Sequence, residues 1–343
     1  MPDLQSRFAG CLLGGALGDA LGAPIEFLSL NEIRARCGPH GLREFVPAYG
    51  RLGAITDDTQ MTMFTAEGLL QAHARGQERG IWDPPSMVHV AYLRWLKTQG
   101  QASADPLFHE ARRGGGLSDL PELNERRGPG RTCLSALMSE RMGTVAEPLN
   151  NSKGCGGIMR IAPVGLACRA GAPTPPAFDL GCQIAAITHG HPSGYLAAGA
   201  FAEIIAHIAS HGELGQAIWH ARGLLQAQPD HEECLAALDR ALDAAESGEA
   251  TAEQVERLGE GWVAEEALAI AVYCALVALD FRHGICLAAN HSGDSDSTAA
   301  LTGNLLGVKW GREALPADLL EQLELRDTIE RLATDLHAAF AGE

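Results

Sequence analysis

The 343-residue chain has few aromatic residues, few basic residues and no long apolar run. Phe, Trp and Tyr make up 5% of the sequence, and 26 Lys and Arg stand against 43 Asp and Glu, which gives a formal net charge of −17. This charge argues against nucleic acid as a partner, because binding a phosphate backbone needs concentrated Lys and Arg. The sequence contains no stretch of about 18 uninterrupted apolar residues, so it predicts no membrane span.

The cysteines lack the spacing of a disulfide framework or a thiolate metal site. There are nine, an odd number, and no two of them form a C-x-x-C pair. Scattered thiols of this kind are typical of a reducing compartment. The first ten residues also lack the basic and apolar regions of a secretory signal. We therefore expect a cytoplasmic protein.

Helix-forming sequence dominates the chain. Apolar residues recur at helical spacing in many segments, beginning with Phe8 to Leu21, where Gly14, Gly15 and Gly18 indicate close helix packing. Alternating strand patterns are nearly absent, and Leu42 to Val46 is the one short segment that suggests a strand. No repeat of fixed period is present, which disfavours a solenoid. We predict an all-α, compact multi-helix fold that forms a single domain over residues 1–343.

Two acidic clusters each precede an apolar helical stretch, at Thr56 to Thr59 and at Gly293 to Thr298. Either cluster alone is more typical of a helix N-cap and first turn. If the two clusters meet, their buried like charges would repel strongly unless cations neutralise them. Oxygen ligands without histidine or thiolate favour magnesium, manganese or calcium over zinc. Two such ions about 3.5–4 Å apart could clamp and polarise the oxygens of a substrate.

A glycine-rich segment forms the third feature. Glycine-rich backbone at a helix start presents free N–H groups that suit a phosphate or pyrophosphate, although a simple turn is an equal interpretation. We interpret the cysteine in this segment as a packing residue, since nothing in the sequence activates its thiol. The candidate anion-binding residues are Asn151, Ser152, Gly154, Cys155, Gly156 and Gly157.

Two single residues have both a structural and a functional interpretation. His189 stands between two predicted helices and could simply cap the first of them. Trp262 could stack on a purine base, but by itself a core position is the stronger interpretation.

Taken in order, these motifs resemble those of the ADP-ribosylglycohydrolase family, and the resemblance covers nearly the whole chain. No single motif is decisive, whereas the ordered series is highly specific. The motifs are Gly18 to Phe27, Thr56 to Thr59, Pro129 to Thr132, Met159 to Pro163, the His189 segment, Gly261 to Val263, and Gly293 to Ser297.

The resemblance implies an orthogonal all-α bundle with a binuclear metal centre in a surface cleft, holding two Mg²⁺ or Mn²⁺ ions. Glu26 would lie beside the metals and the ribose, the loop from Ser152 to Gly157 would hold the diphosphate, His189 would approach the adenosine, and Trp262 would stack. The positions that match the family's metal ligands are Thr56, Asp57, Asp58, Asp294, Asp296 and Ser297.

The implied activity is metal-dependent hydrolysis of the glycosidic bond between ADP-ribose and a modified protein, with ADP-ribose as the product. We expect Asp57 or Asp296 to be the general base and Glu26 to position the substrate. We also expect a monomer. The expected linkage is to an arginine side chain. Hydrolysis of a serine or nucleobase linkage, non-catalytic binding of ADP-ribose, and an unrelated metal-dependent phosphohydrolase are the alternatives.

The sequence departs from the family pattern at three places. Ser297 stands where threonine is usual, and Cys155 with the two following glycines replaces a more usual Asn-Gly. Thr98 to Gln101 lacks the Asp-x-Gly that arginine-specific members commonly carry. The last departure bears on the choice between arginine and the other linkages.

Overall fold

The computed structural model describes residues 2–113, 115–169 and 174–341. This part of the chain contains seventeen α-helices and no β-strand. The helices are α1 Leu4–Gly22, α2 Leu30–Cys37, α3 Asp57–Arg79, α4 Pro84–Thr98, α5 Phe108–Ala111, α6 Arg131–Leu137, α7 Ala162–Ala167, α8 Ala177–Ala186, α9 Pro192–His211, α10 Leu214–Gln226, α11 Glu232–Glu246, α12 Ala252–Glu256, α13 Ala264–Val277, α14 Phe281–Ala289, α15 Ser295–Trp310, α16 Ala317–Leu320 and α17 Arg326–Phe340.

Helices α1, α13 and α15 form the centre of the molecule, because nearly every residue along them is buried. A helix that is enclosed on all sides needs no polar face, and these three have none of the amphipathic pattern of a surface helix. Helices such as α10, α11 and α17 instead bury one stripe of apolar residues and expose the rest. The outcome is a compact all-α fold, as the sequence predicted. Leu42 to Val46 forms no strand.

Helices α1 and α15 run antiparallel with their backbones in direct contact. A β-carbon at Gly14 would overlap the carbonyl oxygen of Gly303, and one at Gly10 would overlap that of Gly307. The glycines therefore allow an approach that a larger residue would prevent. This confirms that the glycines of the first helix serve close packing. The antiparallel contact also brings the end of α1, at Gly22, against the start of α15, at Asp296.

The structure gives no indication of a membrane-crossing element. In the part of the chain that is described, no helix combines the length and the apolar composition needed to span a bilayer.

Enlarging a glycine in the contact between α1 and α15 should destabilise the fold. A β-carbon at Gly18 would overlap the carbonyl oxygen of Ala299, which belongs to backbone and cannot rotate away. We expect Gly18→Ala to lower the free energy of unfolding by about 1–3 kcal/mol in denaturant titrations. The matched control is Gly223→Ala in α10, where the added methyl group meets nothing within 4 Å and the helix should gain up to ~1 kcal/mol. Equal unfolding midpoints for Gly18→Ala and the wild type would contradict the close contact.

Candidate functional site

A cleft of about 410 Å³ opens where the ends of several helices and loops meet. Its floor is acidic and its walls are glycine-rich backbone and aromatic rings. The residues that line it are Glu26, Phe27, Asp57, Asp58, Gly128, Pro129, Gly130, Arg131, Thr132, Cys133, Gly154, Cys155, Gly156, Met159, His189, Trp262, Asp294, Asp296 and Ser297.

The first acidic cluster forms the start of α3. Thr56 is the N-cap, and its side chain accepts a hydrogen bond from the Asp58 amide at 3.3 Å. Asp57 and Asp58 occupy the first turn, where carboxylates complement the helix dipole. The capping interpretation is therefore confirmed for Thr56. It leaves both carboxylates of the first turn facing the cleft.

Asp19, buried in α1, holds this helix start in place. Its two carboxylate oxygens accept hydrogen bonds from the Thr56 amide at 3.1 and 3.0 Å, and one of them also accepts from the Thr59 amide at 3.1 Å. The Thr59 hydroxyl donates to the same carboxylate. Burial, together with repulsion from Asp296, raises the pKa of Asp19 to about 7. Asp19 lies within the Gly18 to Phe27 motif, but the sequence predicted no role for it.

The second acidic cluster forms the start of α15 and touches the first. The Ser297 hydroxyl donates a hydrogen bond to Asp58 Oδ2 at 2.8 Å, across 239 positions of sequence. Asp294 is the N-cap residue of α15, but its side chain makes no capping hydrogen bond, so its carboxylate is available to the cleft. The two clusters, recognised separately in the sequence, thus form one site in the structure.

Glu26, in the turn after α1, completes the acidic floor. Single carboxylate oxygens of Glu26, Asp294 and Asp296 all lie within 4.8 Å of one another. Such a grouping of oxygen atoms is the donor set that hard divalent cations prefer. The structure therefore places together three of the residues that the sequence indicated for metal binding or catalysis.

Burial and mutual repulsion disfavour the charged forms of these acids. Burial, followed by repulsion from Asp296, raises the pKa of Asp57, Asp58 and Asp294 well above the usual carboxyl range. The same causes raise the pKa of Glu26 to about 10. Without a positive charge among them, several of these groups would hold protons at neutral pH. Divalent cations would favour the ionised forms instead, so the electrostatics of the site fit such ions.

Cys155 contacts the acidic floor directly. Its thiol lies 2.7 Å from Asp294 Oδ2 and 3.8 Å from the Ser297 hydroxyl. Burial and the nearby carboxylates raise the pKa of the thiol well above its usual value. The thiol therefore stays protonated and donates to Asp294, which agrees with the sequence interpretation that it is not a nucleophile. Its contact with a candidate metal ligand was not foreseen.

The glycine-rich segment forms one wall of the cleft and is tied to the segment that carries Trp262. The Cys155 amide donates to the Trp262 carbonyl at 3.0 Å, and the Ala264 amide donates to the Lys153 carbonyl at 2.8 Å. A β-carbon at Gly156 would come within 2.8 Å of Cys133 Sγ, so the loop packs too closely for a larger residue. The amide of Cys155 is thus already engaged and is not free for an anion.

His189 lies at the base of this wall. It is buried, and its Nδ1 is 2.8 Å from the hydroxyl of Thr188, which in turn accepts a hydrogen bond from the Arg160 guanidinium at 2.6 Å. Burial and the charge of Arg160 lower the pKa of His189 to about 3. The imidazole is therefore neutral and can offer hydrogen bonds to a ligand without carrying charge.

Trp262 lines the cleft and is half-buried rather than part of the core. Its ring is stacked on Phe27, with the ring centroids 5.1 Å apart and an angle of 16° between the planes. Phe27 is 71% exposed and has a φ of 68°, a left-handed conformation that is rare for a bulky residue. Trp262 is therefore not a core residue, and stacking of its ring on a purine base stays a prediction.

The remaining sequence-predicted residues lie around the cleft rather than on its surface. Thr56 is buried below the acidic floor, and Gly157 is buried behind the glycine-rich wall. Ser152 contacts two residues that line the cleft: its hydroxyl lies 3.1 Å from that of Thr132 and accepts a hydrogen bond from the Gly154 amide at 3.3 Å. Asn151 is exposed and is not among the residues that line the cleft. A substrate-binding role for Asn151, Ser152 and Gly157 stays a prediction.

The contacts of the loop that faces the acidic floor were not predicted from the sequence. The Gly130 amide donates to Asp57 Oδ2 at 3.1 Å, and the Asp57 amide donates to the Arg127 carbonyl at 2.9 Å. This loop carries the Pro129 to Thr132 motif, which the sequence marked without assigning it a function. The Gly-Pro-Gly sequence in this loop is typical of a turn, but it does not show which residues the turn contacts.

Comparisons with known proteins find relatives over the whole chain. The sequence model of the ADP-ribosylglycohydrolase family matches residues 1–343. The ADP-ribosyl-(dinitrogen reductase) glycohydrolase of Rhodospirillum rubrum is 26% identical over 99% of this chain and 98% of its own length. The ADP-ribosylarginine hydrolase Tri1 of Pseudomonas putida is 25% identical over 96% of this chain and 77% of its own.

A solved structure supports the same relationship. It is described as an ADP-ribosylglycohydrolase-related protein complex, shares 27% of its sequence with this chain, and superimposes with a TM-score of 0.68 over 99% of both chains. Because the family model covers every residue and the likeness extends over whole chains, the match is not confined to one motif. The chain therefore belongs to the ADP-ribosylglycohydrolase family and is a hydrolase of glycosidic linkages to ADP-ribose.

Proposed function

We propose that this protein removes ADP-ribose from an arginine side chain of a modified protein, in a reaction that depends on two Mg²⁺ or Mn²⁺ ions. The observation that carries this proposal is the junction of the two acidic clusters, made by Ser297 and Asp58 at 2.8 Å beside Glu26. The proposed active form is a monomer.

The acidic floor would hold the ions. The proposed ligands are Thr56, Asp57, Asp58, Asp294, Asp296 and Ser297. Bound divalent cations would neutralise the carboxylates and polarise the ribose oxygens of the substrate. The Ser297 hydroxyl and the Cys155 thiol hold Asp58 and Asp294 by hydrogen bonds, and such outer partners orient ligands and tune their basicity.

The walls of the cleft would bind the rest of ADP-ribose. The backbone around Gly154 and Gly156 offers a surface without side chains, on which a diphosphate can approach closely. Neutral His189 lies behind this backbone and could donate or accept a hydrogen bond. Trp262 presents an aromatic face on which the adenine base could stack. These contacts would orient the anomeric carbon toward the acidic floor.

The reaction itself needs a proton acceptor and a proton donor. Water would attack the anomeric carbon as the bond to the guanidinium nitrogen breaks, through an oxocarbenium-like transition state. A carboxylate, Asp57 or Asp296, would take the proton from water, and the departing nitrogen would gain a proton from solvent, so that the two proton transfers balance. Glu26, half-buried beside both, would position the ribose.

The relative named as an ADP-ribosylarginine hydrolase supports arginine as the linked residue. The absence of Asp-x-Gly after Trp95 means that any recognition of the guanidinium must come from other residues of this chain. Release of ADP-ribose from arginine-linked and serine-linked proteins, with and without chelator, tests the proposal. Activity on serine-linked protein alone would contradict the arginine assignment, and full activity after removal of metal would contradict the metal centre.

Asp294→Asn should abolish activity while preserving the fold. The amide keeps the shape of the side chain but removes the charge that would bind a cation. We expect the rate to fall by more than the ~10–100-fold that loss of an outer partner of a metal ligand costs. The control is Asp335→Asn, on the exposed face of α17. Unchanged turnover by Asp294→Asn would remove this residue from the site.

The stability gained from Mg²⁺ should increase with pH. The folded-state pKa of each site carboxyl is raised, to about 7 for Asp19 and about 10 for Glu26. A raised folded pKa means that the metal-free protein loses stability as pH rises from the unfolded value of about 4 toward the folded value. The difference in Tm between samples with excess MgCl₂ and with chelator should therefore be larger at pH ~8 than at pH ~5. A difference that shrinks with rising pH would contradict a site of repelling carboxylates.

Trp262→Ala should weaken the binding of ADP-ribose. Stacking of a base on an aromatic ring contributes about 1–3 kcal/mol when measured by alanine substitution, so we expect the Kd to rise by at least about fivefold. Isothermal titration with ADP-ribose measures this change. Trp219→Ala, which removes a 60% exposed indole from α10, is the control. If both variants bind as the wild type does, Trp262 is not a stacking residue.

A further inference from the structure

A tight turn next to the acidic floor carries an aromatic side chain in an unfavourable backbone conformation. Ala48 and Arg51 exchange two backbone hydrogen bonds of 3.0 Å, and both residues between them have positive φ, 50° at Tyr49 and 83° at Gly50. Asn, Asp or Gly is usual at the first of these positions, because a bulky L-residue is strained there. Strain of about 1–3 kcal/mol at a non-glycine residue is found mainly at functional sites.

The hydroxyl of Tyr49 reaches the acidic floor at Gly128, a residue that lines the cleft. The point where a β-carbon would stand at Gly128 lies 3.3 Å from the Tyr49 hydroxyl, 3.6 Å from Asp57 Oδ1 and 3.9 Å from Glu26 Oε2. Three polar atoms from three segments therefore surround one open position. Gly128 has a φ of 73°, so glycine is favoured there on conformational grounds and leaves this position free.

The ring of Tyr49 packs against the side chain of Arg127. The Arg127 guanidinium lies 5.2 Å from the ring centroid and is itself fixed by Glu125 at 2.6 Å and Glu324 at 3.1 Å. The tyrosine remains 44% exposed. A partly exposed aromatic ring, beside a strongly acidic cleft, is a surface on which a planar cation can lie.

We propose that Tyr49 forms a subsite for the arginine side chain that carries ADP-ribose, with its ring against the guanidinium and its hydroxyl beside Glu26 and Asp57. This proposal rests on the proposed function, in which the anomeric carbon faces the acidic floor. A group bonded to that carbon that leaves the cleft over Gly128 would pass Tyr49. The subsite supplies recognition of the guanidinium in a chain that lacks the Asp-x-Gly of arginine-specific relatives.

The test separates contact with the target from contact with ADP-ribose. Tyr49→Asn removes the ring, and asparagine tolerates the left-handed conformation of the turn, so the free energy of unfolding should not fall. We expect kcat/KM on an arginine-linked ADP-ribosylated protein to fall about tenfold, while the Kd for free ADP-ribose stays the same. Tyr49→Phe, which keeps the ring, should retain most of the activity. Tyr195→Phe, a half-buried tyrosine of α9 outside the cleft, is the control.

Other results would overturn the subsite. If kcat/KM of Tyr49→Asn equals that of an active wild type, Tyr49 does not contact the target. If the Kd for ADP-ribose rises in parallel with the loss, Tyr49 binds the ADP-ribose portion instead. A loss in Tyr49→Phe as large as in Tyr49→Asn would exclude stacking by the ring. If the wild type releases no ADP-ribose from arginine, the proposed function fails, and the arginine subsite fails with it.

Discussion

The backbone contact between α1 and α15 is the constraint on which the site depends. Gly10, Gly14 and Gly18 let the two helices approach without intervening side chains, and glycines or alanine on α15 face them. This contact sets the end of α1 against the start of α15. Asp19 on α1 then fixes the start of α3 through three backbone amide contacts, so three helix ends meet at one place. The acidic cleft is the space between these ends.

Concentrating buried acids in that space opposes folding of the bare protein. Each carboxylate loses hydration and faces others of the same charge, which is why the pKa of Asp57, Asp58 and Asp294 is raised. A fold can retain such an arrangement when a ligand of opposite charge offsets the repulsion. The surrounding donors, among them the Ser297 hydroxyl and the Gly130 amide, hold the carboxylates in place but bring no full positive charge.

The helical fold and most of the site could be predicted from the sequence, because both depend on local patterns. Apolar spacing indicates helices, and an ordered series of motifs identifies a family even when each motif is ambiguous. The sequence does not show where residues outside those patterns lie in the folded protein. Tyr49 stands in a loop without periodicity, and nothing local shows that its hydroxyl meets Gly128, 79 positions away by the numbering. Asp19 is likewise an acid in an apolar helix, whose partners lie on α3.

The sequence also does not show which residues adopt an unfavourable backbone conformation. Phe27 and Tyr49 adopt positive φ. Glycine or asparagine is usual in this conformation, so the sequence does not predict it at a phenylalanine or a tyrosine. Such residues are identified from coordinates alone, because their conformation is imposed by contacts distant in sequence.

The hydrogen bonds between the glycine-rich wall and the Trp262 segment have a mechanical consequence. Lys153 and Cys155 are each joined by a backbone bond to a residue at the start of α13. The glycine-rich wall and the segment that carries Trp262 are therefore parts of one rigid body anchored in the central helices. Loop motion at the cleft is therefore expected in segments that are not tied to this wall, such as the turn from Ala48 to Arg51 that carries Tyr49.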